Sequence, residues 1–189
     1  MTTDKLGMRP DPAILDTPFP QVYAAFMRVL GIDPGLKETG YGILEVKNGM
    51  GSAVLLEAGL IRTNSSDSLG VRLAAVAREI QTILLQHRPD RVAIEDLYSY
   101  YKTPKPALLM GHVRGVLLSQ AALQGIPVAS YLPTRVKKAV VGRGHASKEQ
   151  VARMVQMRLG ISRRRVPADV SDALAVALCD VAQTMRSLP

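Results

Sequence analysis

Four carboxylates in this chain sit where carboxylates are costly. Asp33 ends Leu-Gly-Ile-Asp-Pro-Gly, Glu95 lies in Val-Ala-Ile-Glu-Asp, and Asp169 and Asp172 open Ala-Asp-Val-Ser-Asp-Ala-Leu-Ala. The first two interrupt apolar runs that read as buried strands, and the last two begin an apolar helix. A buried ionised carboxylate needs a partner charge or a cation. Several oxygen donors on core elements suit a hard divalent ion such as Mg²⁺. Two such ions could activate a water, stabilise the charge of a phosphodiester under attack and stabilise the leaving oxygen. No serine–histidine pair or thiolate is required.

Each acid also has a plainer reading. Asp33 before Pro34-Gly35 could be the first residue of a β-turn. Glu95 and Asp96 end a strand, and because neighbouring strand residues point to opposite faces, at most one shares the side of Asp33. Asp169 and Asp172 could complement a helix dipole, but their i, i+3 spacing also puts both on nearly one face. The basic residues tip the balance. The 189-residue chain carries net charge +8, and from Arg135 to Arg165 its only acid is Glu149. A solvated helix face mixes both signs, so this one-sided stripe favours phosphate contacts. The pattern is that of a metal-dependent nuclease.

The elements that must position these groups follow from periodicity. Residues 1–26 read as a proline-punctuated extension and 27–189 as a single domain. Arg28–Asp33, Gly40–Val46 and Ala53–Thr63 read as strands, the last two joined through the hairpin signal Asn48-Gly49. A helix follows, with Leu69, Leu73, Val76, Ile80 and Ile83 along one face. Arg91–Leu97 is a fourth strand, Pro106–Gln124 a helix stopped by Gly125, and Ile126–Leu132 a fifth strand. Helices begin near Pro133, Ser147 and Pro167, the second with the capping-box pattern Ser147-x-x-Gln150. This order predicts an α/β fold: a mixed five-stranded sheet with helices on both faces. The single cysteine, Cys179, excludes an internal disulfide and reads as a small buried side chain. No stretch of the sequence is long and apolar enough for a membrane span and none resembles a signal peptide, so a cytoplasmic location is expected.

At five motifs in order the sequence resembles the RuvC-type Holliday junction resolvases: Leu-Gly-Ile-Asp-Pro-Gly (30–35), Thr-Gly-Tyr-Gly (39–42), Ala-Ile-Glu (93–95), Val-Val-Gly-x-Gly (140–144) and Ala-Asp-x-x-Asp-Ala-Leu-Ala (168–175). The resemblance spans residues 28–185. It implies a ribonuclease H-like fold and a bacterial homodimeric endonuclease that nicks four-way DNA junctions symmetrically in recombination and repair. On the same basis Asp33, Glu95, Asp169 and Asp172 match the catalytic metal ligands for Mg²⁺, two per site, with Mn²⁺ able to substitute. Some family members carry histidine at the position of Asp169. Lys137 and Lys148 match basic positions near the scissile phosphate, and Tyr98 an aromatic that stacks at the junction centre, although Tyr100 and Tyr101 follow it closely. Arg135, Lys138 and Arg143 complete the expected DNA contacts. A RuvA–RuvB branch-migration motor is the implied partner, and Leu108, Val113, Val116 and Leu117 are candidates for part of the dimer face. The alternatives are another ribonuclease H-like nuclease acting on RNA and a non-catalytic nucleic-acid binder. A pure binder, however, gains nothing from four acids that repel phosphates.

Overall fold

A computed structural model describes residues 26–47, 52–96, 104–162 and 166–186. The elements follow the predicted order: strands β1 (Phe26–Asp33), β2 (Glu38–Lys47) and β3 (Ala53–Arg62), helix α1 (Leu69–His87), strand β4 (Arg91–Glu95), helix α2 (Pro104–Leu123), strand β5 (Val128–Tyr131), then helices α3 (Pro133–Val141), α4 (Lys148–Leu159) and α5 (Ala168–Arg186). The five strands form one sheet in the order β3-β2-β1-β4-β5. The pairs β1–β2 and β2–β3 are antiparallel, whereas β1–β4 and β4–β5 are parallel. The Asn48-Gly49 hairpin and the bulk of the proposed 1–26 extension lie outside the described residues; Phe26 already belongs to β1.

Three boundaries in β4 and β5 differ from the sequence reading, and both in β5 do so for local reasons. Strand β5 starts at Val128 instead of Ile126 because Pro127 has no N–H to give the ladder; its carbonyl still accepts from Val92 N at 3.0 Å. Leu132 leaves the strand to precede α3, whose first residue is Pro133. Strand β4 stops at Glu95, not Leu97.

Strand alternation sorts the core into two layers. Leu30, Ile32, Ile43 and Ile94 pack on α1 and α2, against Val76, Ile80, Val113 and Leu117. Val29, Leu44 and Ala93 face the other way, toward α3, α4 and α5. By the same period of two, Asp33 and Glu95 fall on the α5 side. This arrangement corrects the proposed dimer face. Val113 and Leu117 are fully buried in the chain's own core and cannot meet a partner, while Leu108 is 64% exposed.

Helix α5 lies close on β1 and β2 because the strands carry glycine there. A Cβ on Gly31 would collide with the Ala173 carbonyl and the Ala177 side chain, and one on Gly40 with the Asp169 carbonyl. These two positions set the height of the helix that carries Asp169 and Asp172. Gly31→Ala should therefore lift α5, costing about 1–3 kcal/mol of stability as an overpacked core, and should weaken metal binding at the same time. Titration calorimetry of the folded variant would check this; unchanged metal affinity would mean the seat of α5 does not govern the site.

The opposite end of α5 is tied down by charge. Asp180 is fully buried and takes two bonds from Arg91, Nε at 2.9 Å and Nη2 at 3.0 Å, plus the Tyr131 hydroxyl at 2.7 Å. This carboxylate is satisfied by one cation and one phenol and belongs to the framework. Cys179 beside it is buried, as expected, and burial pushes its thiol up to about 11.

Candidate active site

Asp33 ends β1 and Glu95 ends β4. The two strands are parallel neighbours in a register that pairs Ile32 with Ile94, so the acids emerge side by side beyond the carboxyl ends of the strands. Such ends are where open α/β sheets hold their ligands. A cavity of about 290 Å³ there is lined by Asp33, Glu95 and Asp172, by Lys137 and Lys148, and by Pro133, Val136, Val151 and Ala175. Asp169 stands outside that lining, one turn before Asp172 and half-buried, with Glu38 of β2 adding a further negative charge near it.

Local structure explains each placement. The turn after Asp33 is pinned by the buried Thr39, whose hydroxyl donates to the Gly35 carbonyl at 2.7 Å and accepts from its N–H at 3.3 Å. The Ser147–Gln150 capping box is closed in both directions, at 3.3 and 3.0 Å, and starts α4 at Lys148. Lys148 Nζ then reaches Asp172 Oδ2 at 2.8 Å. Lys137 enters from α3, one residue beyond the buried Val136.

The electrostatics are those of a site that needs positive charge. Burial, then the repulsion of Glu95, Asp172 and Asp169, pushes Asp33 up to about 8. Burial and Asp172 push Glu95 up to about 7. Asp169 is raised by burial, Glu38 and Asp172. Lys148 is held protonated by its bond to Asp172. Among the described residues no three of these acids close into a ready-made metal cage. The acidic groups lining the cavity offer oxygen donors, the type that hard divalent cations prefer.

The remaining sequence candidates divide. Arg135 and Lys138 turn away from this cavity into a separate groove on the far side of α3, and Arg143 is exposed and lines neither. Tyr98, Tyr100 and Tyr101 lie outside the described residues, as do Arg163, Arg164 and Arg165 of the basic stripe. One positioning residue escaped the sequence reading. Arg114 of α2 donates to the Glu95 carbonyl at 2.8 Å and the Ser130 hydroxyl at 2.6 Å, and lies 3.3 Å from Asp96 Oδ1. It fastens the end of β4 from behind. The available signal was its isolation: it is the one Lys, Arg, Asp or Glu between residues 106 and 124.

Comparison with known proteins shows the family and the fold. Residues 29–180 match the family described as crossover junction endodeoxyribonuclease RuvC. Relatives bearing that name include one from Rhodopirellula baltica, 43% identical over 151 residues (80% of this chain, 84% of the relative), and one from Syntrophomonas wolfei, 44% identical over 153 residues (81% and 87%). The structure of Thermus thermophilus RuvC in complex with a Holliday junction substrate superposes with a TM-score of 0.80 at 35% identity, covering 85% of this chain and 96% of that one. The yeast mitochondrial Holliday junction resolvase, at 16% identity and a TM-score of 0.61 over 84% of this chain and 80% of that one, shares the fold. The sheet and its helices are thus ribonuclease H-like, and the chain belongs to the RuvC family of crossover junction endodeoxyribonucleases, enzymes whose nuclease activity depends on a metal.

Proposed function

We propose that this chain cuts four-way DNA junctions, with Asp33, Glu95, Asp169 and Asp172 as ligands of Mg²⁺, for which Mn²⁺ substitutes. The observation that carries the reading is the meeting of Asp33, Glu95, Asp172, Lys137 and Lys148 in one cavity at the strand ends. A bound divalent ion would supply an activated water and a counter-charge for the scissile phosphate. The chain's own part is orientation. Asp33 and Glu95 are held by neighbouring strands and Asp172 by a helix seated on the same strands, so the three move as one unit. Lys148 neutralises Asp172 until a cation arrives, and can then turn to a phosphate oxygen. Lys137 offers a second cation from α3. Symmetric nicking of a junction requires two such sites, so we read the active species as a homodimer. By family resemblance its partner is a RuvA–RuvB motor, and its setting the bacterial cytoplasm. No described helix is long and apolar enough to cross a membrane.

The test is cleavage of a synthetic four-way junction beside matched linear duplex and RNA–DNA hybrid, in Mg²⁺, Mn²⁺ or EDTA. Paired nicks confined to the junction and requiring metal are the expected result. Preferential cutting of the hybrid would overturn the reading in favour of an RNA-processing nuclease.

A further inference from the structure

Helix α3 is a wall with cations on both sides. Val136 and Val140, four residues apart, are buried and fix it to the core. Lys137 lines the acidic cavity on one side. Arg135 and Lys138, three residues apart, line a different groove on the other side, bounded by α3, the turn through Gly142 and Gly144, and the later part of α5. This groove has a volume of about 640 Å³, and His145 and Thr134 also contribute to it. Among the described residues no carboxylate lines it.

The charge in this groove is available. Arg135 is held by neutral partners: it donates from Nη2 to Gln183 Oε1 at 2.8 Å, and its guanidinium sits 5.9 Å from the centre of the Tyr131 ring. These contacts restrain its orientation without cancelling its charge. The side chains of Lys138 and His145 are exposed and form no ion pair among the described residues. The nearest buried acid in sequence, Asp180, is already committed to Arg91 and Tyr131.

We propose that this groove is a second phosphate track, which holds the sugar–phosphate backbone of a junction arm while the scissile phosphate occupies the acidic cavity. The inference rests on the junction-cutting reading above. A helix with its side chains is about 10–12 Å across, and one DNA strand advances about 3.4 Å per phosphate. Because successive phosphates lie farther apart in space than this axial rise, the two basins are at most about three nucleotide steps apart on one strand. The track reads no sequence; it adds affinity and fixes the angle at which an arm leaves the site. Inorganic phosphate or a free nucleotide offers the same chemistry but cannot bridge the two basins, and this difference separates the sources.

The experiment compares wild type with Arg135→Gln/Lys138→Gln in the full chain, after thermal unfolding has confirmed that the pair folds. Junction affinity is measured across a salt series in Ca²⁺. The expected result is a loss of about 10-fold or more, with the log K against log salt slope shallower by about 1.8, two phosphate contacts at ~0.9 each. Arg135→Lys/Lys138→Arg should restore the slope. A junction carrying neutral methylphosphonates a few steps from the cut should bind wild type more weakly and cost the Gln pair nothing more. An unchanged slope in the Gln pair, or equal sensitivity of both proteins to the methylphosphonates, overturns the track while leaving junction cutting intact. A wild type that binds no junction overturns the functional reading itself. Wild-type affinity reduced by millimolar inorganic phosphate as strongly as by competitor duplex would assign the groove to small anions and overturn the arm.

Discussion

Asp33→Asn should abolish cleavage, by about 10³-fold or more, while leaving junction binding equal to or tighter than wild type. The side chain keeps its shape and loses the charge that a divalent ion needs, so metal affinity and rate fall together. Binding survives because removing one negative charge from a site that faces phosphates reduces repulsion. The same variant should stabilise the metal-free protein at neutral pH. Asp33 and Glu95 have folded-state values raised to about 8 and about 7, above the ordinary carboxylate range near 4. Between those limits the folded state binds more protons than the unfolded one, so stability is greatest at low pH and is lost as pH rises through 7 and 8. The substituted amide cannot ionise, which removes the larger part of that loss. Thermal unfolding in EDTA across pH 5–9 should show wild type losing several degrees toward pH 9 and Asp33→Asn losing clearly less. A variant that unfolds earlier than wild type throughout would make Asp33 a structural turn residue and not a metal ligand.

A comparably large effect, on stability alone, is expected at Asp180. Asp180→Ala leaves the Arg91 guanidinium and the Tyr131 hydroxyl facing an apolar wall. Removing one partner of a buried pair costs about 3–5 kcal/mol. Arg91 is about one-third exposed and recovers some hydration, so about 2–4 kcal/mol is expected here. In a domain of this size that lowers the melting temperature by roughly 10 °C. Replacing both partners by hydrophobic residues of similar volume should recover most of it, because no charge is then left unpaired. A loss below about 1 kcal/mol in the single variant would show that water reaches Arg91 and that the pair does not anchor α5.

The contrast between Asp180 and Asp33 marks how far residue type can be read without a fold. Both are acids embedded in apolar runs. Only contacts show that Asp180 is matched by Arg91 from a residue 89 positions away, while Asp33 faces three more acids. The amino-acid sequence by itself determined the order and kind of every described element, because alternation of two and repeats near 3.6 are local properties. It also singled out Asp33, Glu95, Asp169 and Asp172 as the candidate ligands, since each breaks an apolar pattern at motifs of one family. Tertiary structure decided the sides. Whether Glu95 or Asp96 joins Asp33 depends on the parallel register of β1 with β4, set by packing across many residues. Whether Lys137 or Lys138 enters the acidic cavity depends on how Val136 and Val140 rotate α3 against the core. Val113 and Leu117 looked free for a partner until α1 covered them. A sequence records what each residue can do, but which residues face one another is a non-local property, fixed when two layers of core close on opposite sides of one sheet.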